Sequence, residues 1–288
     1  MDNNAYSIKR MARTLLAALI LCLPAAAGAQ EVIRPVTSAF MLEGGGASIT
    51  NTYLSPLRYS GWNTSFGYER MQAMRARPED LVMRLTSTLN LDRTENPAKN
   101  ASMWRLTGEF SWGMARRFRL PYGITLGVGG STSLDLGCLY STRNGNNPVA
   151  VEAAWTVNVT GYAAWNTRVL NCPLTLRYQP TIPLTGVFFS PEYGELFYEI
   201  YLGDTSGLAH AAWWGNYFRM ENLLTADFHF GATALRIGLR NNILSTSVNH
   251  ITTRTVTTSA IIGVSGEWMS INPRKGLSHD AKIISALY

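Results

Sequence analysis

Charge is scarce in this chain of 288 residues, with Asp, Glu, Lys and Arg together making only 15%. A disordered tail needs far more charge and less apolar content than this, so the chain reads as folded. Three Cys exclude a disulfide-dense miniprotein. The net charge of +6 invites a nucleic-acid reading, but Lys9, Arg10 and Arg13, opposed by Asp2, supply part of it, and +4 remains once residues 1–29 are set aside. No basic run is dense enough to track phosphates, so nucleic acid is not an expected partner. The 4 His form no His-x-x-x-His pair. No short-spaced Cys pair or dense Asp loop appears either, so neither a metal nor a cofactor is expected. After Gln30 no window approaches the ~20 apolar residues of a membrane helix. A membrane span would therefore have to be built from strands.

What is present begins with an address. Lys9, Arg10 and Arg13 precede the apolar run Leu15–Leu23 and the small residues Ala25-Ala26-Ala27-Gly28-Ala29, with Ala27-x-Ala29 placed for cleavage before Gln30. That is the three-part pattern of a secretory signal peptide over residues 1–29, with Met1 or Met11 as initiator. Leu21 before Cys22 is too large for a lipoprotein site. Residues 30–288 are expected to form a single domain.

Along that domain apolar and polar residues alternate with period two, the mark of a strand with one apolar face. Leu81, Met83, Leu85, Leu89 and Leu91 alternate with Arg84, Thr86, Thr88, Asn90 and Asp92. Trp104, Leu106, Phe110, Trp112 and Met114 alternate with Arg105, Thr107, Glu109 and Ser111. Similar stretches lie at Phe40–Ile49, Trp62–Tyr68, Ile124–Leu136, Val149–Trp165, Leu174–Leu184, Phe218–Phe230, Leu235–Leu239 and Val256–Trp268, separated by Asn-, Gly- and Pro-rich turns. A soluble sandwich crowds its polar faces with Lys and Glu, whereas Thr, Ser, Asn and Gly dominate here, as in a barrel lumen. Trp62, Trp104, Trp112, Tyr140, Trp155, Trp165 and Trp268 sit near segment ends, as girdle aromatics do. The expectation is an all-β antiparallel transmembrane barrel in the outer membrane, in contact with its lipid. Adding Leu196–Leu202 and the ending Ala281-Lys282-Ile283-Ile284-Ser285-Ala286-Leu287-Tyr288 gives twelve strands, with Tyr288 as the terminal aromatic read by the barrel-assembly machinery. Ten strands with a periplasmic tail from Ile271 is the alternative.

Several phrases also resemble a known family. Tyr53-Leu54-Ser55-Pro56-Leu57-Arg58-Tyr59-Ser60-Gly61-Trp62, Tyr68-Glu69-Arg70-Met71-Gln72-Ala73-Met74, Asp92-Arg93-Thr94-Glu95-Asn96-Pro97, the stretch Gly207-Leu208-Ala209-His210-Ala211-Ala212-Trp213-Trp214-Gly215-Asn216-Tyr217-Phe218-Arg219-Met220 and the ending Ile284-Ser285-Ala286-Leu287-Tyr288 are similar to a domain-of-unknown-function family of Bacteroidetes outer-membrane β-barrels. The resemblance implies a location and a fold, and no activity.

The chemistry lies on the polar faces. Glu43, Glu69, Arg84, Arg105, Glu109, Asp135, Glu152, Arg177, Arg219, Glu221, Asp227, His229, Arg236, Arg240 and Glu267 are expected to point into the lumen. Both signs are represented, so the charges can pair between strands and fill the interior, or line a narrow path for a small solute. A surface hydrolase acting on lipid or lipid-linked sugar is the rival, with Ser206 as nucleophile, His210 as base and Asp204 or Glu199 as orienting group. Four residues separate Ser206 from His210 in a Gly-containing loop, a spacing that arises often by chance, so catalysis is the lesser reading. A secreted β-sandwich binding protein is the second rival. Cys138 and Cys172 are placed near opposite barrel ends, and no disulfide is expected between them. Gly127-x-Gly129-Gly130 lies inside a strand pattern with no following helix, so it reads as room for lumen packing or a bend rather than a phosphate loop.

Overall fold

The computed structural model describes residues 32–195, 197–203, 206–269 and 281–287. Residues 1–31, with the expected signal peptide and Cys22, and residues 196, 204–205, 270–280 and 288 lie outside them. Among the described residues no helix is long and apolar enough to cross a membrane.

Ten long strands carry the architecture: β2 (Val36–Asn51), β3 (Ser55–Ala73), β4 (Leu81–Glu95), β5 (Ser102–Arg119), β6 (Ile124–Ser141), β7 (Val149–Val169), β8 (Cys172–Phe189), β10 (Tyr217–Phe230), β11 (Thr233–Val248) and β12 (Ile251–Trp268). Each is antiparallel to its chain neighbour, β12 pairs with β2, and β10 pairs with β8, so the sheet closes on itself. This is a ten-stranded barrel and not a pair of packed sheets. A four-residue strand, β9 (Ala209–Ala212), adds to the upper part of β8 beside the closure. Closure leaves no unpaired sheet edge, which is what permits strands to cross hydrocarbon. The ten run from 14 to 21 residues. That exceeds the ~9–11 a tilted span requires, so they project beyond a bilayer.

Twelve strands therefore overcounts, and the ten-strand alternative is the observed fold. Within Leu196–Leu202, Phe197–Tyr201 forms one helical turn in the long connection between β8 and β9. Among the described residues after Met269, Lys282–Ile283 is extended (β13), and it pairs in parallel with Val32–Ile33 (β1), apart from the barrel. Ile284, Ala286 and Leu287 are buried. Ala286 and Leu287 pack against Met71, Val82, Ala115 and Tyr162 inside the barrel mouth. Their apolar character reflects burial in a plug, and the final barrel strand ends at Trp268.

The two barrel ends differ. One, the terminal end, carries the first and last described segments, 32–35 and 281–287, and tight reversals such as Leu170-Asn171, which joins β7 to β8 with φ of 49° and 65°. Positive φ at both positions is the two-residue hairpin turn that matches strand twist. The opposite, loop end carries the long connection from Ser190 to Asn216. Side chains alternate as period two demands. Phe40, Leu42, Phe66, Leu89, Val128 and Val264 point outward and are exposed, Val128 to 60%. Glu43, Glu69, Arg177 and Arg236 point inward and are buried. Trp62, Arg93, Trp104 and Tyr140 fall in one register row at the loop end. There Trp62 meets Trp104 edge-on at 6.2 Å and Arg93 lies over the Trp104 ring. Gly127 faces inward where a Cβ would lie 2.0 Å from the Tyr162 ring, so glycine here gives that ring its place in the lumen.

Candidate functional site

Every charged residue expected in the lumen faces inward, and the arginines reach carboxylates on other strands. Glu69 on β3 is a hub. Its Oε1 accepts from Arg84 on β4 at 2.7 Å, and its Oε2 accepts from Arg177 on β8 at 2.5 Å and from Arg236 on β11 at 2.7 Å. Asp227 on β10 takes the other face of Arg236, both bonds at 2.7 Å, in a bidentate pairing. Around the ring, β3 and β8 are five strands apart in either direction. The Arg177–Glu69 pair therefore spans the lumen diameter.

Towards the loop end the balance reverses. Arg240 bridges Glu43 at 3.0 Å and Glu221. Arg219 bridges Asp135 at 2.6 Å and Glu109. Arg105 bridges Asp92 at 3.0 Å and Glu152 at 2.8 Å. Three arginines share two carboxylates, Glu69 and Asp227, in the lower layer, whereas each upper arginine holds two carboxylates of its own. Asp92 was visible in the β4 alternation but not marked as a lumen charge. Its even position, continuing the polar face of Arg84, Thr86, Thr88 and Asn90, was the available signal.

Between the upper network and the loops lies a chamber with about 80 Å³ of water-accessible volume, lined by Asn51, Tyr53, Glu109, Asp135, Glu152, Tyr217, Arg219 and Thr255 among others. That holds a few waters and no large solute. Tyr53 helps to roof it, donating to the Glu195 carbonyl at 2.6 Å and accepting from Asn147. Burial pushes the Tyr53 phenol above its ordinary range. Beside it, Leu54 packs with Ile49, Tyr59, Met103 and Leu139 in an apolar cap.

The terminal mouth is also filled. Arg117 Nη1 donates to the carbonyls of Ser285 at 2.5 Å and Ala286 at 3.0 Å. Glu267 accepts from Thr37 at 3.2 Å and from the Ser285 hydroxyl. Asn166 donates to the Leu287 carbonyl at 3.3 Å.

The hydrolase candidates lie in the long connection between β8 and β10. Asp204 lies outside the described residues, and Glu199 is exposed. His210 Nε2 lies 3.1 Å from the Ser190 carbonyl oxygen and 3.3 Å from Asn249 Nδ2. Nε2 can donate to the carbonyl or accept from the amide, and neither partner is a carboxylate that would orient the ring as a base. The His210 ring packs on Phe188 at 5.6 Å. His229 meets the Thr175 hydroxyl at 2.9 Å. Cys138 and Cys172 are both free thiols. Cys138 lies outward near the loop end of β6, and Cys172 at the terminal-end turn. No group of three His, Cys, Asp or Glu residues among those described is gathered to hold a metal ion.

A family model described as "Protein of unknown function (DUF3316)" matches residues 13–275. No curated protein matches the chain. Among solved structures, the outer membrane protease OmpT from Escherichia coli is similar at 8% identity, over 81% of this chain and 97% of that one, with a TM-score of 0.47. The translocator domain of the autotransporter NalP from Neisseria meningitidis is similar at 12% identity, over 93% and 98%, with a TM-score of 0.37. Neisserial surface protein A is similar at 10% identity, over 80% and 97%, with a TM-score of 0.31. None of these likenesses is close enough to carry a role.

Proposed function

The chain belongs to the DUF3316 family, whose description assigns no activity, and from the geometry we propose that it is an outer-membrane barrel with a closed lumen, a structural element of the membrane rather than an open pore. The observation that carries this reading is the Arg177–Glu69 pair, which joins opposite walls at 2.5 Å. Charges in a membrane interior are tolerable when paired, and pairs that cross the lumen narrow any water path through it. The outward belt of Phe, Leu, Val and Trp side chains supports contact with outer-membrane lipid, because a surface this apolar is not stable in water.

Residues 1–29 would direct export and be removed before Gln30. The terminal end then faces the periplasm, and Trp268, which closes β12, is the aromatic for the barrel-assembly machinery to read in place of Tyr288. A narrow solute path would require both the plug and the lower arginine layer to move. The test is fractionation of expressing cells, boiled and unboiled electrophoresis, and planar-bilayer recording of the purified barrel. A heat-modifiable outer-membrane band without steady conductance is expected. Steady conductance would overturn the closed lumen, and a soluble product would overturn the membrane assignment.

A further inference from the structure

The loop-end chamber has more acceptors than donors. Glu109, Asp135 and Glu152 line it with Arg105 and Arg219, and Arg105 is shared with Asp92 just outside the lining. Arg219 uses Oδ1 of Asp135 and Arg105 uses Oε2 of Glu152, and the second oxygens, Asp135 Oδ2 and Glu152 Oε1, are buried without a hydrogen-bond partner. The Thr255 side chain, 4% exposed, lines the same chamber with an unpartnered Oγ1, as does Asn242 with its Oδ1. Buried acceptors left bare cost free energy, so their concentration around one cavity points to something that donates to them. The chamber also has apolar wall, from Phe188, Leu244 and Ile251.

We propose that this chamber is a binding site for a small organic cation bearing primary ammonium groups. An ammonium supplies three N–H donors and the positive charge that the surplus carboxylates lack, while a short alkyl stem suits the apolar wall. The scattered carboxylates disfavour a metal ion, since no three acidic, His or Cys residues converge among those described. The site stands apart from the conductance question: a barrel that leaks can still bind, and a sealed one can fail to.

The test uses the full-length folded barrel in zwitterionic detergent, titrated calorimetrically with putrescine, butane-1,4-diol and succinate. These share a four-carbon frame and differ in charge and donors. Saturable putrescine binding is expected, with the diol and the diacid at least tenfold weaker. Asp135→Asn and Glu152→Gln should each weaken putrescine at least tenfold. Glu95→Gln, at an exposed outward pair with Arg93, should leave it unchanged. Because Asp135 and Glu152 also hold arginines, Thr255→Val serves as the variant that keeps every charge, and a severalfold loss is expected from it. Absence of saturable binding by heat-modifiable protein, equal binding of diol and diamine, or full binding by the Asp135, Glu152 and Thr255 variants would each overturn the proposal.

Discussion

Arg117 Nη1 donates to the Ser285 carbonyl oxygen at 2.5 Å, tying a barrel strand to a segment 168 residues away. The same guanidinium reaches the Ala286 carbonyl and, through Nε and Nη2, the carbonyls of Pro78 and Glu79 at 3.0–3.2 Å. One planar fork thus joins the β3–β4 turn to the plug. Lysine has a single donor head and cannot hold this fan of carbonyls. Arg117→Lys is expected to leave the barrel heat-modifiable while carboxypeptidase removes the C-terminal residues at least tenfold faster. Unchanged digestion would show that Arg117 does not hold the plug.

Glu69 neutralises three guanidiniums, two of which, Arg177 and Arg236, are almost wholly buried. Removing one partner from a buried pair leaves its neighbour uncompensated, at a cost of about 3–5 kcal/mol. Glu69→Gln should lower unfolding stability by that order, measured by urea titration in lipid vesicles. The double variant Glu69→Leu with Arg177→Met should recover part of the loss, because it removes both ends of the pair that crosses the lumen. A Glu69→Gln barrel as stable as wild type would contradict the hub.

The outer surface makes a different demand. Leu89 lies mid-strand on β4 and is 54% exposed, between Phe66 and Gly108 in register. In hydrocarbon an arginine there should cost about 2–4 kcal/mol, falling towards zero near an interface. Leu89→Arg should therefore impair folding into vesicles far more than Leu57→Arg near the loop end of β3. Equal effects at both positions would place Leu89 outside the bilayer.

The ten barrel strands were legible because each buries one face, and a two-residue period survives in sequence whatever lies across the sheet. The lumen charges were legible for the same reason, as the polar half of that period. The strand count was not. Leu196, Tyr198, Ile200 and Leu202 alternate as a strand would, yet Phe197–Tyr201 forms a turn of helix, and it is Ala209–Ala212 that takes the upper edge of β8. Ile284, Ala286 and Leu287 are apolar because they enter the barrel, a tertiary event that leaves no local period of its own. Which charges meet was equally hidden. Arg177 and Glu69 are 108 residues apart, and their contact follows from ring closure, not from spacing. The chamber was missed since its surplus of acceptors appears only once each arginine's partners are known.

Acid should loosen the plug from the terminal end. Lys282 pairs with Glu79 at 2.5 Å, and the Lys282 ammonium holds the Glu79 carboxyl below its ordinary range, against a small opposing effect of burial. A depressed carboxyl pKa gives a contribution that is fully present above the ordinary carboxylate range and is lost as pH falls through the lowered value. Both side chains are substantially exposed, so salt screens the pair and its strength is modest. A nitroxide at Ile283→Cys, in a background with Cys138 and Cys172 replaced by Ser, should report an immobile tail at pH 7 that gains mobility as the pH falls below the ordinary carboxylate range. Glu79→Gln should give intermediate mobility at pH 7 and remove the acid transition. An acid transition that persists in Glu79→Gln would assign the release to another group, with Glu267, which accepts from Ser285, the next carboxylate to substitute.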